Sequence, residues 1–427
     1  MGIASLAERS GQRSPQHVVV RVAIGLVALH VVDDSFVQPQ PGTSATDHLV
    51  SGLVPLALLA AAAIVYPRLR AGTRAIVALT VGFLATVGGI AEAAYSTAKV
   101  GPSGDDFTGL AMLAAGLVLL ATGVVVLWRS RRLDEPRPRR YARRGLLAVG
   151  AALVAFLVVV PVALSYAFTH VGRPVVPAPD LGATHEDVTF TTEDGLVLQG
   201  WYIPSRNGAA VIAFPGRSGP QRHARMLVRH GYGVLLFDRR GEGESQGDPG
   251  ALGWGMDRDL RAALDYLRRR PDVEGGRIGG LGLSVGGELL LETAAESDVL
   301  RAVVSEGAGI RSVREALETS GAGRVLSVPY WAATTVATAV FSNQLPPPSL
   351  KDLVGRISPR PVLLIHATKG QGGEELNPVY FAAAREPKER WEIPEAGHTG
   401  GLEARPEEYE RRVVAFLDRA LLGGDPP

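Results

Sequence analysis

Hydrophobic residues are distributed in two different ways along this chain. Up to about residue 168 they run almost without interruption, in stretches close to the roughly 20 residues a helix needs to cross a bilayer. From residue 185 they come in short runs separated by polar turns and by segments of helical period. The first pattern predicts five helices, His17–Val32, His48–Tyr66, Thr73–Ser96, Phe107–Trp128 and Gly145–Phe168. The first of these is short and carries Arg21 and His30. No small-residue cleavage site follows it, only Asp33-Asp34-Ser35-Phe36, so a removable leader is disfavoured.

The second pattern predicts alternating strands and helices. Val188–Thr192 and Leu196–Ile203 flank Glu193-Asp194-Gly195 and read as a hairpin with a turn glycine. Further strands are predicted at Ala209–Phe214, Gly233–Asp238, Arg277–Leu281, Ala302–Ser305, Pro361–His366 and Arg390–Ile393. Helices are predicted around Gln221–His230, Asp257–Arg270, Gly287–Glu296, Pro378–Glu386 and Pro406–Leu422. Such alternation implies a mostly parallel sheet flanked by helices. Between the two halves, residues 169–184 hold Pro174, Pro177 and Pro179 and read as a semi-rigid linker. The expected organisation is therefore a helical membrane domain (1–168), the linker, and an α/β domain (185–427).

One five-residue stretch changes the picture from architecture to chemistry. Gly282-Leu283-Ser284-Val285-Gly286 has the G-x-S-x-G form and sits between a predicted strand and a predicted helix. A serine pinched there can be held in a sharp turn with its hydroxyl exposed, as a nucleophile requires. The same pattern recurs at Gly243-Glu244-Ser245-Gln246-Gly247, but in a Gly- and Asp-rich run with no strand abutting it, so Ser245 reads as loop.

A serine needs a base, and the base needs an orienting acid. Two histidines follow Ser284. His366 closes a strand, whereas His398 lies in the glycine-flanked loop Gly397-His398-Thr399-Gly400 after the last strand, at the sheet edge where ligands gather. His398 is the preferred base. The acid is expected in the loop after Pro361–His366, whose carboxylates are Glu374 and Glu375; Glu374 is preferred, with Glu375 and the strand-end Glu306 as alternatives. An oxyanion hole needs two backbone N–H groups. Val285 supplies one at a helix start; Arg217, in Pro215-Gly216-Arg217-Ser218-Gly219, is the positional candidate for the other.

Composition narrows the alternatives. The chain has 427 residues, a formal net charge of +1 and no cysteine. Nothing points to nucleic acid, and disulfides, thiolate metal sites and a cysteine nucleophile are excluded. The chemistry calls for no cofactor or metal. Charge also orients the helices. Arg68, Arg70 and Arg74 lie between the second and third; Arg129, Arg131, Arg132, Arg137, Arg139, Arg140, Arg143 and Arg144 lie between the fourth and fifth. The other connections carry Asp33, Asp34, Asp47, Asp105 and Asp106. The arginine-rich side is expected to face the cytoplasm, so the fifth helix delivers the α/β domain to the outer side.

Residues 184 to 427 resemble the α/β-hydrolase superfamily, on Phe214-Pro215-Gly216, the run Phe237 to Ser245, the Ser284 elbow and Glu395-Ala396-Gly397-His398. More narrowly the chain looks like bacterial membrane-attached serine hydrolases related to acylaminoacyl-peptidase-type esterases. The resemblance implies an α/β-hydrolase fold, Ser284 as nucleophile, His398 as base, Val285 and Arg217 as oxyanion donors, and a structural loop shaped by Asp238 and Ser245. It implies a small-molecule ester, lipid or peptide substrate. Two positions depart from the family pattern: the acid is usually aspartate, and a His-Gly pair usually stands where this chain has Pro215-Gly216. Residues 307–356 exceed a simple strand-to-strand link and are expected to form a cap, with Trp331 and Phe341 walling an apolar pocket. Two other readings remain open on sequence. One is an acyltransferase using the same triad. The other is a membrane sensor or scaffold, suggested by His30, Asp33, Asp34, Asp47, His48, Glu92, Asp105 and Asp106 gathering at one membrane face.

Overall fold

The computed structural model describes residues 15–129, 136–173, 180–368, 370 and 372–423. Arg131, Arg132, Pro174, Pro177 and Pro179, on which parts of the sequence reading rest, lie outside the described residues. The chain divides into two compact units, Met1–Gly172 with Ala333–Asn343, and Arg173–Ala332 with Gln344–Pro427.

The first unit contains helices α1 (Pro15–Val32), α2 (Leu49–Arg68), α3 (Ala71–Lys99), α4 (Asp106–Arg129) and α5 (Pro138–Thr169). Helix α4 shows how its sequence sets its limits. Asp106 in the first turn accepts the Ser103 N–H at 2.9 Å, and Arg129 ends the last turn, so both charges favour the helix dipole. Val20, Ile24 and Val27 of α1 are buried with Ala78 and Ala85 of α3 and Met112, Ala115 and Leu119 of α4. Outward-facing apolar residues include Leu58, Ile64, Ile76, Leu146, Val149 and Val154. Among the described residues, five helices are long and apolar enough to cross a membrane: α2 to α5 and Arg324–Ser342. The membership differs from that expected. The segment at Arg324–Ser342, read as cap, is itself of spanning length, while α1, which carries Arg21 and two histidines, is not among the five.

The acidic and imidazole residues singled out in this unit separate into two sets. His30 contacts Glu92 (3.2 Å) and Thr108 (3.1 Å), Thr108 donates to Asp33 (2.7 Å), and carboxylate oxygens of Asp34, Glu92 and Asp105 lie within 4.8 Å of one another. Asp47, His48 and Asp106 instead serve local turns, accepting from or contacting Ser44, Thr43 and Ser103.

The second unit is built on eight strands: β1 (Glu186–Thr191), β2 (Val197–Ile203), β3 (Ala210–Phe214), β4 (Gly233–Phe237), β5 (Ile278–Leu283), β6 (Ala302–Glu306), β7 (Val362–Ala367) and β8 (Lys388–Ile393). Their order is β1-β2-β4-β3-β5-β6-β7-β8. β1 and β2 form the antiparallel hairpin, β2 pairs antiparallel with β4, and all remaining pairs are parallel. Helices α6 (Gln221–Arg229), α7 (Asp257–Arg268), α8 (Val285–Glu296), the start of α9 (Arg324–Ser342, which belongs to the first unit from Ala333 on), α10 (Asn377–Ala383) and α11 (Pro406–Leu417) complete the principal elements.

Strands β3 to β7 are buried on both faces, which is why their sequences are largely continuous apolar runs, whereas the edge strands β1 and β8 alternate buried and exposed residues. In β3, Ala210, Ile212 and Phe214 join one core with Leu260, Leu264 and Leu290, while Val211 and Ala213 join the opposite core with Leu227, Val413 and Phe416. The crossover from β3 leads outward to β4, and β5 then returns to the other side of β3. Connections that leave β3 and β5 in opposite directions open a crevice at their carboxyl ends, the general place for a ligand in such sheets.

Candidate active site

Ser284 occupies that crevice. It follows β5 directly, with φ 53° and ψ −126°, and its N–H donates to the carbonyl of Glu306 on neighbouring β6 at 2.7 Å. Two glycines make the turn possible. A Cβ on Gly282 would lie 2.4 Å from the Gly286 carbonyl carbon, and one on Gly286 would lie 2.5 Å from the Phe214 carbonyl oxygen. Any side chain at either position would push α8 away from the sheet.

The loop after β8 carries His398. Its Nε2 lies 2.9 Å from Ser284 Oγ, and its Nδ1 lies 2.5 Å from Glu374 Oε1. Glu374 belongs to a short helical turn, Glu374–Leu376, that folds back on the end of β7, so its second oxygen accepts the Ala367 N–H at 2.7 Å. The carboxyl is 1% exposed. Hydrogen bonding to Glu374 is the largest influence on His398 and raises its pKa above the ordinary imidazole value; the charges of Glu288 and Glu306 act in the same direction, against burial.

The three candidate acids are thus separated by position. Glu374 meets the histidine. Glu375, one residue on, faces solvent. Glu306 is buried but accepts from Gly401 N–H (2.7 Å) and Tyr409 O–H (2.6 Å) instead. His366 is buried in β7, its Nε2 has no hydrogen-bond partner among the described residues, and burial lowers its pKa; the serine hydroxyl bonds His398 instead.

Of the two N–H groups expected to form an oxyanion hole, one is unengaged and the other is taken. The Val285 N–H, at the first position of α8, makes no hydrogen bond among the described residues. The Arg217 N–H donates to Asp238 Oδ1 at 3.0 Å, so the group expected to receive an oxyanion is already engaged. The reason is the side chain. Arg217 is not surface-facing: its guanidinium is buried, bonds Asp238 Oδ2 (2.7 Å) and Glu244 (2.9 Å), and stacks on Trp201. Asp238 therefore grips both ends of Arg217 and holds its loop beside the elbow. Ser245 is structural as well, donating to the Asp238 carbonyl (2.7 Å) and accepting the Gln199 N–H (2.9 Å).

The expected cap is also divided. Trp331 packs against the core of the hydrolytic unit, but Phe341 lies edge-on to Tyr166 in the first unit, at 5.3 Å between ring centres. Tyr409 was missed on sequence, since a tyrosine on an amphipathic helix carries no signal beyond core packing.

Several known proteins are similar to this chain. Residues 178–356 match the X-Pro dipeptidyl-peptidase (S15 family). The chain is 31% identical to YfhR of Salmonella typhi over 264 residues, covering 56% of this chain and 83% of YfhR. The chain belongs to the α/β-hydrolase superfamily. It is also 33% identical over 159 residues to the Arabidopsis thaliana alpha/beta hydrolase domain-containing protein WAV2, covering 34% of this chain and 50% of WAV2. Among solved structures it is similar to the Pyrococcus furiosus esterase Pf2001, at 25% identity and a TM-score of 0.48, over 58% of this chain and 98% of that one. The expected α/β-hydrolase fold, preceded by apolar helices, is the one observed, and this hydrolase is a serine enzyme.

Proposed function

We propose that this α/β hydrolase is anchored in a membrane and cleaves ester or amide bonds through an acyl-enzyme formed on Ser284. The observation that carries the reading is the continuous chain of contacts from Glu374 through His398 to Ser284 Oγ, at 2.5 and 2.9 Å. In this reading Ser284 Oγ attacks the substrate carbonyl as His398 Nε2 takes its proton. His398 then returns that proton to the leaving alcohol or amine. Water repeats the sequence in the second half-reaction, giving the free acid. Glu374 keeps the proton of the neutral ring on Nδ1 and stabilises the imidazolium as it forms. Val285 N–H receives the oxyanion, with the partial positive charge of the α8 amino terminus behind it. Arg217 positions the facing loop rather than acting as the donor.

Anchoring is supported by the apolar outer faces of α2 to α5 and by their lengths. The outward placement of the catalytic unit is supported by the arginines that precede α5. Substrates in this reading are small esters, lipids or peptides. Intact cells treated with a membrane-impermeant fluorophosphonate should label the wild-type protein and not Ser284→Ala. Label persisting in Ser284→Ala overturns the nucleophile, and label appearing only after lysis overturns the orientation.

A further inference from the structure

We infer that Glu306 is a positioning residue that ties the base-bearing loop to the nucleophile turn. The inference rests on the Ser284–His398–Glu374 reading above. Glu306 is the last residue of β6 and is 2% exposed. Its backbone carbonyl accepts the Ser284 N–H at 2.7 Å, so one end of the residue holds the elbow. Its side chain holds the other partner: Oε1 accepts the N–H of Gly401, three residues beyond His398, at 2.7 Å. Oε2 accepts the Tyr409 O–H at 2.6 Å, which fixes the carboxylate against α11. The loop between is a tight turn, with Thr399 at φ 53° and a hydrogen bond from Gly400 N–H to the Gly397 carbonyl at 3.1 Å. Its position is therefore set largely from outside, and Gly401 is its anchor.

Gly307, the next residue, lies under the histidine: a Cβ there would be 3.2 Å from His398 Cε1. Backbone and side chain of one strand end thus fix the distance across which the proton moves. Besides these two donors, the Glu306 carboxylate faces the ring of His223 on α6, with Nε2 3.7 Å from Oε2. Burial and the same carboxylate hold the Tyr409 phenol well above its ordinary range, so Tyr409 stays a donor. The Glu306 charge also reaches His398. Three carboxyl charges raise the pKa of that ring: Glu374 from the loop after β7, which bonds it, then Glu288 from α8 and Glu306 from β6.

A purely structural brace and a positioning residue differ in what they change. The test is ester hydrolysis by the full-length protein in detergent, using p-nitrophenyl acetate, with active sites counted by fluorophosphonate titration. Glu306→Gln preserves volume but loses the charge and one acceptor. It should lower kcat per titrated site about tenfold to a hundredfold, as a small misplacement of reacting groups does. KM should stay within about twofold, since no substrate contact is removed. The acid limb of kcat/KM should move toward lower pH. Tyr409→Phe keeps the charge, so kcat should fall less and the acid limb should stay in place. An unchanged kcat per titrated site and an unchanged acid limb in Glu306→Gln would overturn the inference, whatever the fraction of protein that folds. Failure of the underlying triad has a different mark: Ser284→Ala would keep its activity, or wild type would not titrate.

Discussion

Replacing Glu374 by glutamine tests the triad at the link the sequence left open. The substitution keeps the side chain's shape and removes its charge. Two contacts are affected, the 2.5 Å contact to His398 Nδ1 and the acceptor for Ala367 N–H. The amide can still accept from Ala367, so the turn at Glu374–Leu376 should persist. It then presents N–H donors to Nδ1, which favours the tautomer with its proton on Nε2, the nitrogen that must accept from Ser284. The equivalent change in a serine protease costs about 10⁴ in kcat. Here Glu288 and Glu306 still place negative charge near His398. The expected loss in kcat/KM is therefore about 10³ to 10⁴, or roughly 4–5.5 kcal/mol of transition-state stabilisation. The assay is initial rates on p-nitrophenyl acetate, normalised to folded protein by circular dichroism. Glu375→Gln is the internal control: that side chain faces solvent and should stay within about twofold, as surface substitutions away from a site usually do. Retention of more than about a tenth of wild-type activity in Glu374→Gln would refute the reasoning, as would an equal loss in Glu375→Gln.

Three further outcomes are expected. His398 must be neutral to accept a proton, and Glu374 raises its pKa, so kcat/KM should fall on acidification through a pH above the ordinary imidazole value of 6.5, and Glu374→Gln should move that limb down. A pH–rate profile with the limb at or below that of free imidazole would contradict this. Ser284 is held at φ 53°, a conformation that costs a non-glycine residue about 1–3 kcal/mol. Ser284→Gly should accordingly be more stable to denaturant than Ser284→Ala by roughly 1 kcal/mol, with both inactive; equal midpoints would remove strain from the account. Ser245→Ala deletes a fully buried hydroxyl and leaves the Gln199 N–H and the Asp238 carbonyl without that partner. It should cost about 1–3 kcal/mol of stability while the fluorophosphonate labelling rate per folded molecule stays unchanged.

Much of the site could be read along the chain because its parts are local. The elbow is five consecutive residues whose glycines answer to contacts within a few positions and to the adjacent strand. His398 is marked by its loop after the last strand. The inner strands β3 to β7 are legible because burial on both faces demands largely uninterrupted apolar runs, and each expected strand has an observed counterpart within a few residues. The acid was harder. Glu374 and Glu375 are neighbours with the same chemistry, and only the turn after β7 decides that one enters the protein and the other leaves it. Arg217 misled for a related reason. Its position in the loop suited an oxyanion donor, but its N–H is taken by Asp238, a residue on another strand end, 21 positions away.

Sequence alone determined the order of apolar segments, the alternating strands and helices, and the residue types able to act as nucleophile and base, because each depends on near neighbours or on period. The tertiary structure decided which glutamate meets His398, that Glu306 holds the histidine's loop instead of the histidine, and that Phe341 packs with Tyr166 rather than with Trp331. Those outcomes depend on which strand ends lie side by side. Strand order is set by the packing of the whole sheet, and no local pattern encodes it.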